Sequence, residues 1–128
     1  MKKTLFMLCL SFIAVLGAMG QTADADRIIG TYMTEGGKAK VVIEKKGDTY
    51  NGKLIWNMTE GLLDKNNPVK SEQTKPLVGK TILRGFKYAK KDTWDGGKIY
   101  DPENGKTYSC KITLKNNGDL TVRGFIGV

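Results

Sequence analysis

The sequence predicts an all-β fold in which one antiparallel sheet meanders and curls into a barrel or sandwich. Three observations predict it. Apolar and polar residues alternate over about seven short segments, these segments recur at near-regular spacing between turn residues, and no helical period appears after residue 20. The sixteen glycines of the chain would let such strands bend tightly.

The clearest of these segments is a hairpin over residues 97–114. Residues 101–105 read Asp-Pro-Glu-Asn-Gly, a run of turn-forming residues. From Tyr108 to Leu114 every second residue is apolar, which predicts a strand with one buried face. We expect the Asp101 carboxylate to accept hydrogen bonds from turn amides and to fix the register of the hairpin. Cys110 falls on the apolar face, so we expect a buried and unreactive thiol.

The remaining strands follow from the same alternation. Asn51-Gly52 interrupts one of them and predicts a bulge. Residues 80–88 allow two orientations, with either Arg84 and Phe86 or Thr81 and Leu83 facing inward. The predicted strands are 27–33, 38–45, 49–57, 80–88, 93–100 and 120–126, the last burying Leu120, Val122 and Ile126.

Residues 58–75 have no period and form the one long connection, a kind of segment that often carries function. Asp64-Lys65-Asn66 has the spacing of the start of a calcium loop, but the rest of that motif is missing. We therefore interpret this segment as a loop without a metal site.

The N-terminus has the pattern of a secretory signal peptide. Two lysines precede an uncharged apolar run over residues 5–16, and Ala18 and Gly20 are small residues at the positions a signal peptidase reads. We predict cleavage after Gly20, which leaves residues 21–128 as a single domain in the periplasm or outside the cell. The alternative is an uncleaved anchor.

Composition excludes several kinds of site. The chain has no histidine, so Ser-His-Asp and Cys-His catalysis and histidine-based metal sites are excluded. Only Cys110 remains after the predicted cleavage, which excludes an intramolecular disulfide and a thiolate metal site. No cofactor is predicted.

Four sequence blocks resemble a secreted bacterial family catalogued as domain of unknown function 2147. Its most specific part is GGKIYDPENGKTY at Gly96–Tyr108, and the others are PLVG at Pro76–Gly79, LRGF at Leu83–Phe86 and VRGF at Val122–Phe125. Gly30-Thr31-Tyr32 is similar to the Gly-x-Trp opening of lipocalin-like barrels. The resemblance implies a small lipocalin-like barrel exported to the periplasm, with no established activity.

The resemblance also bears on the C-terminus. Members of that family usually have a further strand beyond the position where this chain stops. If Val128 is the native end, a last barrel strand is missing and its neighbour has an unpaired edge, which invites pairing with another chain. If the sequence is truncated there, the barrel closes normally.

The first functional hypothesis is a binding module for a small amphipathic or anionic ligand, because a small barrel has room for one such molecule. Arg84, if inward, would hold a carboxylate or phosphate head group. In the alternative, the aromatic residues fill the core and Arg84 pairs with Asp101 or Asp95. The candidate binding residues are Trp56, Arg84, Phe86, Trp94, Tyr100, Asp101 and Arg123, with Tyr108 as a further lining residue.

Two other hypotheses come from different classes. The net charge of +8 is mostly lysine and would attract anionic lipid or polysaccharide, as in a structural or interaction protein of the envelope. An enzyme without histidine would need a carboxylate pair from Asp95, Asp101 and Glu103, although turn residues of this type usually bind local amides. Export makes nucleic acid a poor partner, and no nucleic-acid motif is present.

Overall fold

A computed structural model describes residues 7–14 and 23–125, which form a closed antiparallel barrel. Each strand is hydrogen-bonded to its neighbours in sequence, and the first strand pairs with the last. The strands are β1 Met7–Ala14, β2 Gly30–Thr34, β3 Ala39–Lys46, β4 Thr49–Asn57, β5 Thr81–Lys90, β6 Thr93–Asp101, β7 Lys106–Leu114 and β8 Leu120–Phe125. This architecture confirms the all-β meander barrel. The described residues contain no helix long and apolar enough to cross a membrane.

The seven predicted strands correspond to β2–β8, and β1 was not expected. It lies inside the predicted signal peptide and pairs antiparallel with β2 and with β8, from Met7 opposite Phe125 to Phe12 opposite Leu120. The expected unpaired edge on the last strand is therefore occupied by β1. Cleavage after Gly20 remains a prediction, and Ile126 lies outside the described residues.

The middle of the barrel is filled with side chains. Trp94, Phe12 and Phe86 are the largest fully buried side chains, and the predicted inner face of β7, from Tyr108 to Leu114, is buried as expected. Gly97 faces inward directly beneath the Phe86 ring, where an added Cβ would lie 2.5 Å from ring carbons. The Phe86 ring fills the space that a side chain at position 97 would occupy. No room for a ligand therefore remains at this height of the barrel.

Strand β5 contains a bulge that decides which side chains enter the barrel. Tyr50 and Gly52 of β4 pair with Phe86 and Leu83 of β5, so three residues of β5 span two of β4. Gly85 takes up the extra residue with φ of 79°. Both Leu83 and Phe86 point inward and Arg84 is exposed on the outer face. Neither of the two orientations left open for residues 80–88 holds throughout, because the alternation does not continue through the bulge, and Arg84 does not face inward with Phe86. The register shift at Gly52 was predicted, although the extra residue belongs to β5.

A second irregularity turns Trp56 out of the barrel. Lys40 pairs with Trp56 and Val41 with Leu54, which leaves Ile55 as an extra residue in β4. Trp56 therefore lies on the outside, 41% exposed, with the Lys40 ammonium 5.5 Å from its ring centroid. Trp56, a candidate binding residue, therefore does not face the interior as Tyr50 and Leu54 do.

A 3₁₀ helix, Asp24–Ile28, closes one end of the barrel, and we call it the plug. Ile28 is fully buried there, and the Tyr32 hydroxyl donates to its carbonyl oxygen. The Trp94 indole nitrogen donates to the Ala25 carbonyl oxygen at 3.0 Å. These bonds tie the plug to the inner side chains, so this end is sealed.

Candidate functional site

The opposite end of the barrel contains a cavity of about 520 Å³. It lies between the turn that joins β2 to β3, the long segment of residues 58–80 and the hairpin turn that joins β6 to β7. We call residues 58–80 the loop. A cavity of this volume is within the range of small-molecule sites.

The inner lining of the cavity is apolar. Leu54 and Ile99 contribute buried side chains from β4 and β6, and Leu77 does the same from the loop. The apolar residues of the lining are Ala39, Leu54, Met58, Leu62, Leu63, Leu77, Ile82 and Ile99. Such a lining favours hydrocarbon over water, because each buried methylene contributes about 0.8 kcal/mol.

The rim of the cavity carries charges of both signs. Two lysines, Lys38 and Lys65, lie there with three acidic residues, Glu35, Asp101 and Glu103. The rim can therefore hold a polar or charged group while an apolar part lies below it.

The loop is fixed to the barrel by the carboxylate of Asp64, which is completely buried. One oxygen accepts a hydrogen bond from the Tyr100 hydroxyl at 2.6 Å. The other accepts from the Asn67 amide at 2.8 Å and lies 3.0 Å from the Lys80 ammonium. Glu72, in the loop, also binds Lys80 at 2.9 Å. The cluster thus joins both halves of the loop to strand β6.

These contacts perturb the protonation of the cluster. Burial acts to raise the pKa of Asp64, but the hydrogen bonds from Tyr100, Asn67 and Lys80 outweigh it and hold that pKa below its ordinary value of 3.8. Burial and the Asp64 carboxylate raise the pKa of Tyr100 to about 12. At neutral pH the pair therefore consists of an ionised carboxylate and a neutral phenol, the arrangement that the hydrogen bond requires.

The hairpin turn holds the other side of the cavity. The Asp101 carboxylate accepts from the Glu103 amide at 2.9 Å, which confirms the predicted hydrogen bond to a turn amide. The side-chain amide of Asn66 donates to the carbonyl oxygens of Pro102 and Glu103, both at 3.0 Å. Loop and hairpin are thus joined directly, and the cavity has a preformed wall.

The structure separates the seven predicted binding residues. Tyr100 and Asp101 line the cavity. Phe86 and Trp94 are buried in the filled middle of the barrel. Trp56, Arg84 and Arg123 lie on the outer face, so they do not reach the cavity.

Of the three carboxylates considered for catalysis, Asp101 and Glu103 line the cavity and Asp95 does not. Asp95 is exposed on the outer face of β6 and accepts from the Gly96 amide at 2.8 Å. Asp101 and Glu103 are at the rim, where Asp101 holds the turn. Burial raises the pKa of the Cys110 thiol to about 12, so this residue is not a nucleophile at neutral pH.

Sequence reasoning missed the loop residues that form half of the apolar lining. The available signal was the presence of apolar residues in a segment without strand or helix periodicity. These residues are Leu62, Leu63 and Leu77. The role of Asp64 as a buried anchor has no such signal, because its partner Tyr100 is 36 residues away.

Comparison with known proteins places the chain in a family. A family model described as "Uncharacterized protein conserved in bacteria (DUF2147)" matches residues 30–128. The chain belongs to this family. Its DUF2147 region starts at the first residue of β2, so it contains the cavity but neither the plug nor β1.

One solved structure supports the fold of this DUF2147 chain. Protein HP1028 from the human pathogen Helicobacter pylori, described as belonging to the lipocalin family, aligns with a TM-score of 0.63. The two are 16% identical, and the alignment covers 93% of this chain and 81% of HP1028. At that identity the likeness establishes a lipocalin-like barrel alone. No curated protein matches the chain.

Proposed function

We propose that this protein binds a small amphipathic molecule in the cavity at the loop end of the barrel. The observation that carries the proposal is the cavity of about 520 Å³, apolar within and charged at its rim. Ligand sites are typically of this kind, mostly apolar with a few polar groups that fix orientation. The lipocalin-like fold supports a binding role at the level of fold.

The geometry suggests how the ligand lies. Its apolar part contacts Leu54, Leu62 and Ile99, and its polar end stays at the rim. The ligand does not extend to the plug, because Phe86 and Trp94 fill the barrel below the cavity. For an anionic head group the available cations are Lys38 and Lys65, which take the role predicted for Arg84.

The Asp64 cluster supports the proposal by making the site rigid before the ligand arrives. Binding that requires a loop to become ordered loses affinity, and a loop that is already held avoids that cost. Here the loop is held by Tyr100, Lys80 and the hairpin carbonyls in the empty protein. With the predicted signal peptide, this gives a preformed carrier or sensor that works in the periplasm.

A fluorescent amphipathic acid tests the proposal. The protein is titrated with 1-anilinonaphthalene-8-sulfonate, and dodecanoate is then added to displace it. Leu62→Trp places an indole in the cavity, so we expect at least about tenfold weaker binding, a loss of about 1.4 kcal/mol. Val69→Trp is the matched control, because Val69 is in the same loop and exposed but does not line the cavity.

The two variants separate the proposal from nonspecific binding. Equal affinities for Leu62→Trp, Val69→Trp and the unchanged protein would show that the dye binds elsewhere. Dye binding that dodecanoate fails to displace would reject an amphipathic ligand for this cavity.

A further inference from the structure

The outer face of strands β5–β8 carries four cations in two directly opposed pairs. Arg84 of β5 lies directly opposite Lys98 of β6. Lys111 of β7 lies directly opposite Arg123 of β8. We call these four residues the basic wall. It lies on the outside of the barrel and is separate from the cavity.

These pairings are unfavourable in the isolated protein. Directly opposed residues on neighbouring strands have Cβ atoms about 4.5–5.5 Å apart, and like charges at that spacing destabilise a sheet. Arg84, Lys98 and Arg123 are exposed and Lys111 is half-buried. The two cations of each pair therefore repel each other, which does not favour folding.

No carboxylate among residues 23–125 forms an ion pair with the basic wall. The five ion pairs of the described chain involve Arg27, Lys45, Lys75 and Lys80 instead. Asp95, an acidic residue on the same face, lies opposite Lys87 and accepts from the Gly96 amide. Lys98 donates only to the Ser109 hydroxyl, at 3.2 Å. Asp95 and Gly96 lie opposite Lys111 across β6 and β7, but Asp95 forms no ion pair with it. The basic wall thus has no ion-pair partner within the described residues.

We propose that the basic wall binds an extended anionic polymer, a polysaccharide with carboxylate groups. From Arg84 on β5 to Arg123 on β8 the cations span three strand spacings, about 14 Å, which suits several successive acidic sugars. The guanidinium groups of Arg84 and Arg123 match a carboxylate with two parallel donors. The wall of a barrel is convex, so a flexible chain follows it, whereas a flat membrane touches only a narrow strip.

Charge reversal tests the basic wall without damaging the fold. In the double variant Arg84→Glu and Arg123→Glu each like pair becomes an opposite-charge pair, so thermal stability should stay equal or rise. Binding of polygalacturonate to the whole chain at low salt should weaken at least about tenfold. Lys46→Glu with Lys53→Glu is the matched control, because it changes the net charge equally at exposed sites on β3 and β4.

Three outcomes decide the matter. Loss of binding in the wall variant with retention in the control supports the basic wall as the site. An equal loss in both variants overturns it, since net charge alone would then explain the binding. Binding to phosphatidylglycerol vesicles with no binding to polygalacturonate also overturns it and identifies a membrane surface as the partner. None of these outcomes bears on the cavity, because the wall and the cavity share no residue.

Discussion

Asp64 shows how a single side chain determines the shape of the cavity. A carboxylate without solvent contact is costly unless hydrogen bonds replace its water. Here the phenol of Tyr100, the amide of Asn67 and the ammonium of Lys80 supply them. Tyr100 belongs to β6, Asn67 lies in the middle of the loop and Lys80 ends it, so the ionised carboxylate ties the loop to the barrel together with the bonds from Asn66 to the hairpin.

Asp64→Asn should therefore destabilise the protein by about 2 kcal/mol, the scale of a lost charged hydrogen bond. Urea unfolding at neutral pH measures this loss. Asp48→Asn is the control, because it removes an exposed carboxylate from the turn between β3 and β4. Equal stability of the two variants would contradict the role given to Asp64.

The same residue predicts a pH dependence. The pKa of Asp64 in the folded protein lies below its ordinary value of 3.8. Its stabilisation is thus fully present above that value and is lost as the pH falls from 3.8 through the lower pKa of the folded state. Below this window the difference in stability between the unchanged protein and Asp64→Asn should shrink.

At the scale of elements, the sequence predicted regular strands well and irregular ones badly. The inner face of β7 was predicted residue by residue, because its alternation runs unbroken from Tyr108 to Leu114. The same reasoning failed to predict the inward-facing residues of strands β4 and β5. The bulges at Ile55 and at Arg84–Gly85 each shift the alternation by one residue, which moves Trp56 and Arg84 outside.

The cavity was less predictable than the strands for a physical reason. Its lining comes from strand ends and from the loop, and these meet only through contacts distant in sequence, such as Asn66 with Pro102. Local periodicity carries no information about such contacts. Of the predicted binding residues, Tyr100 and Asp101 line the cavity because they end β6, next to the hairpin turn that borders it.

Strand β1 is part of the barrel although it lies within the predicted signal peptide. β1 pairs with both β2 and β8, and Phe12 on it is completely buried beside Tyr32. The predicted cleavage after Gly20 would remove this strand and leave two edges with unpaired backbone groups. We expect such edges to favour self-association.

Comparison of residues 21–128 with the whole chain tests this expectation. Losing the buried ring of Phe12 alone should cost about 3–5 kcal/mol of stability, and the open edges should produce dimers or larger species in light scattering. A monomer of residues 21–128 as stable as the whole chain would contradict any structural role for β1.

At the scale of the whole molecule, the two ends of the barrel differ in what they can do. The plug end is sealed by Ile28 and by the hydrogen bond from Trp94 to Ala25. The middle is filled, with Phe86 packed on Gly97. Toward the loop end the walls of the described barrel separate and leave an apolar space. The proposed ligand lies there.

Nuclear magnetic resonance tests that claim most directly. Backbone amide shifts of the whole chain are followed while dodecanoate is added. We predict that the changes concentrate at residues that line the cavity, among them Leu54, Leu62, Leu77 and Ile99, and that Ile28 of the plug and Trp94, which is bonded to the plug, stay unchanged. Changes at the plug end, or none at the cavity under saturating dodecanoate, would contradict the account.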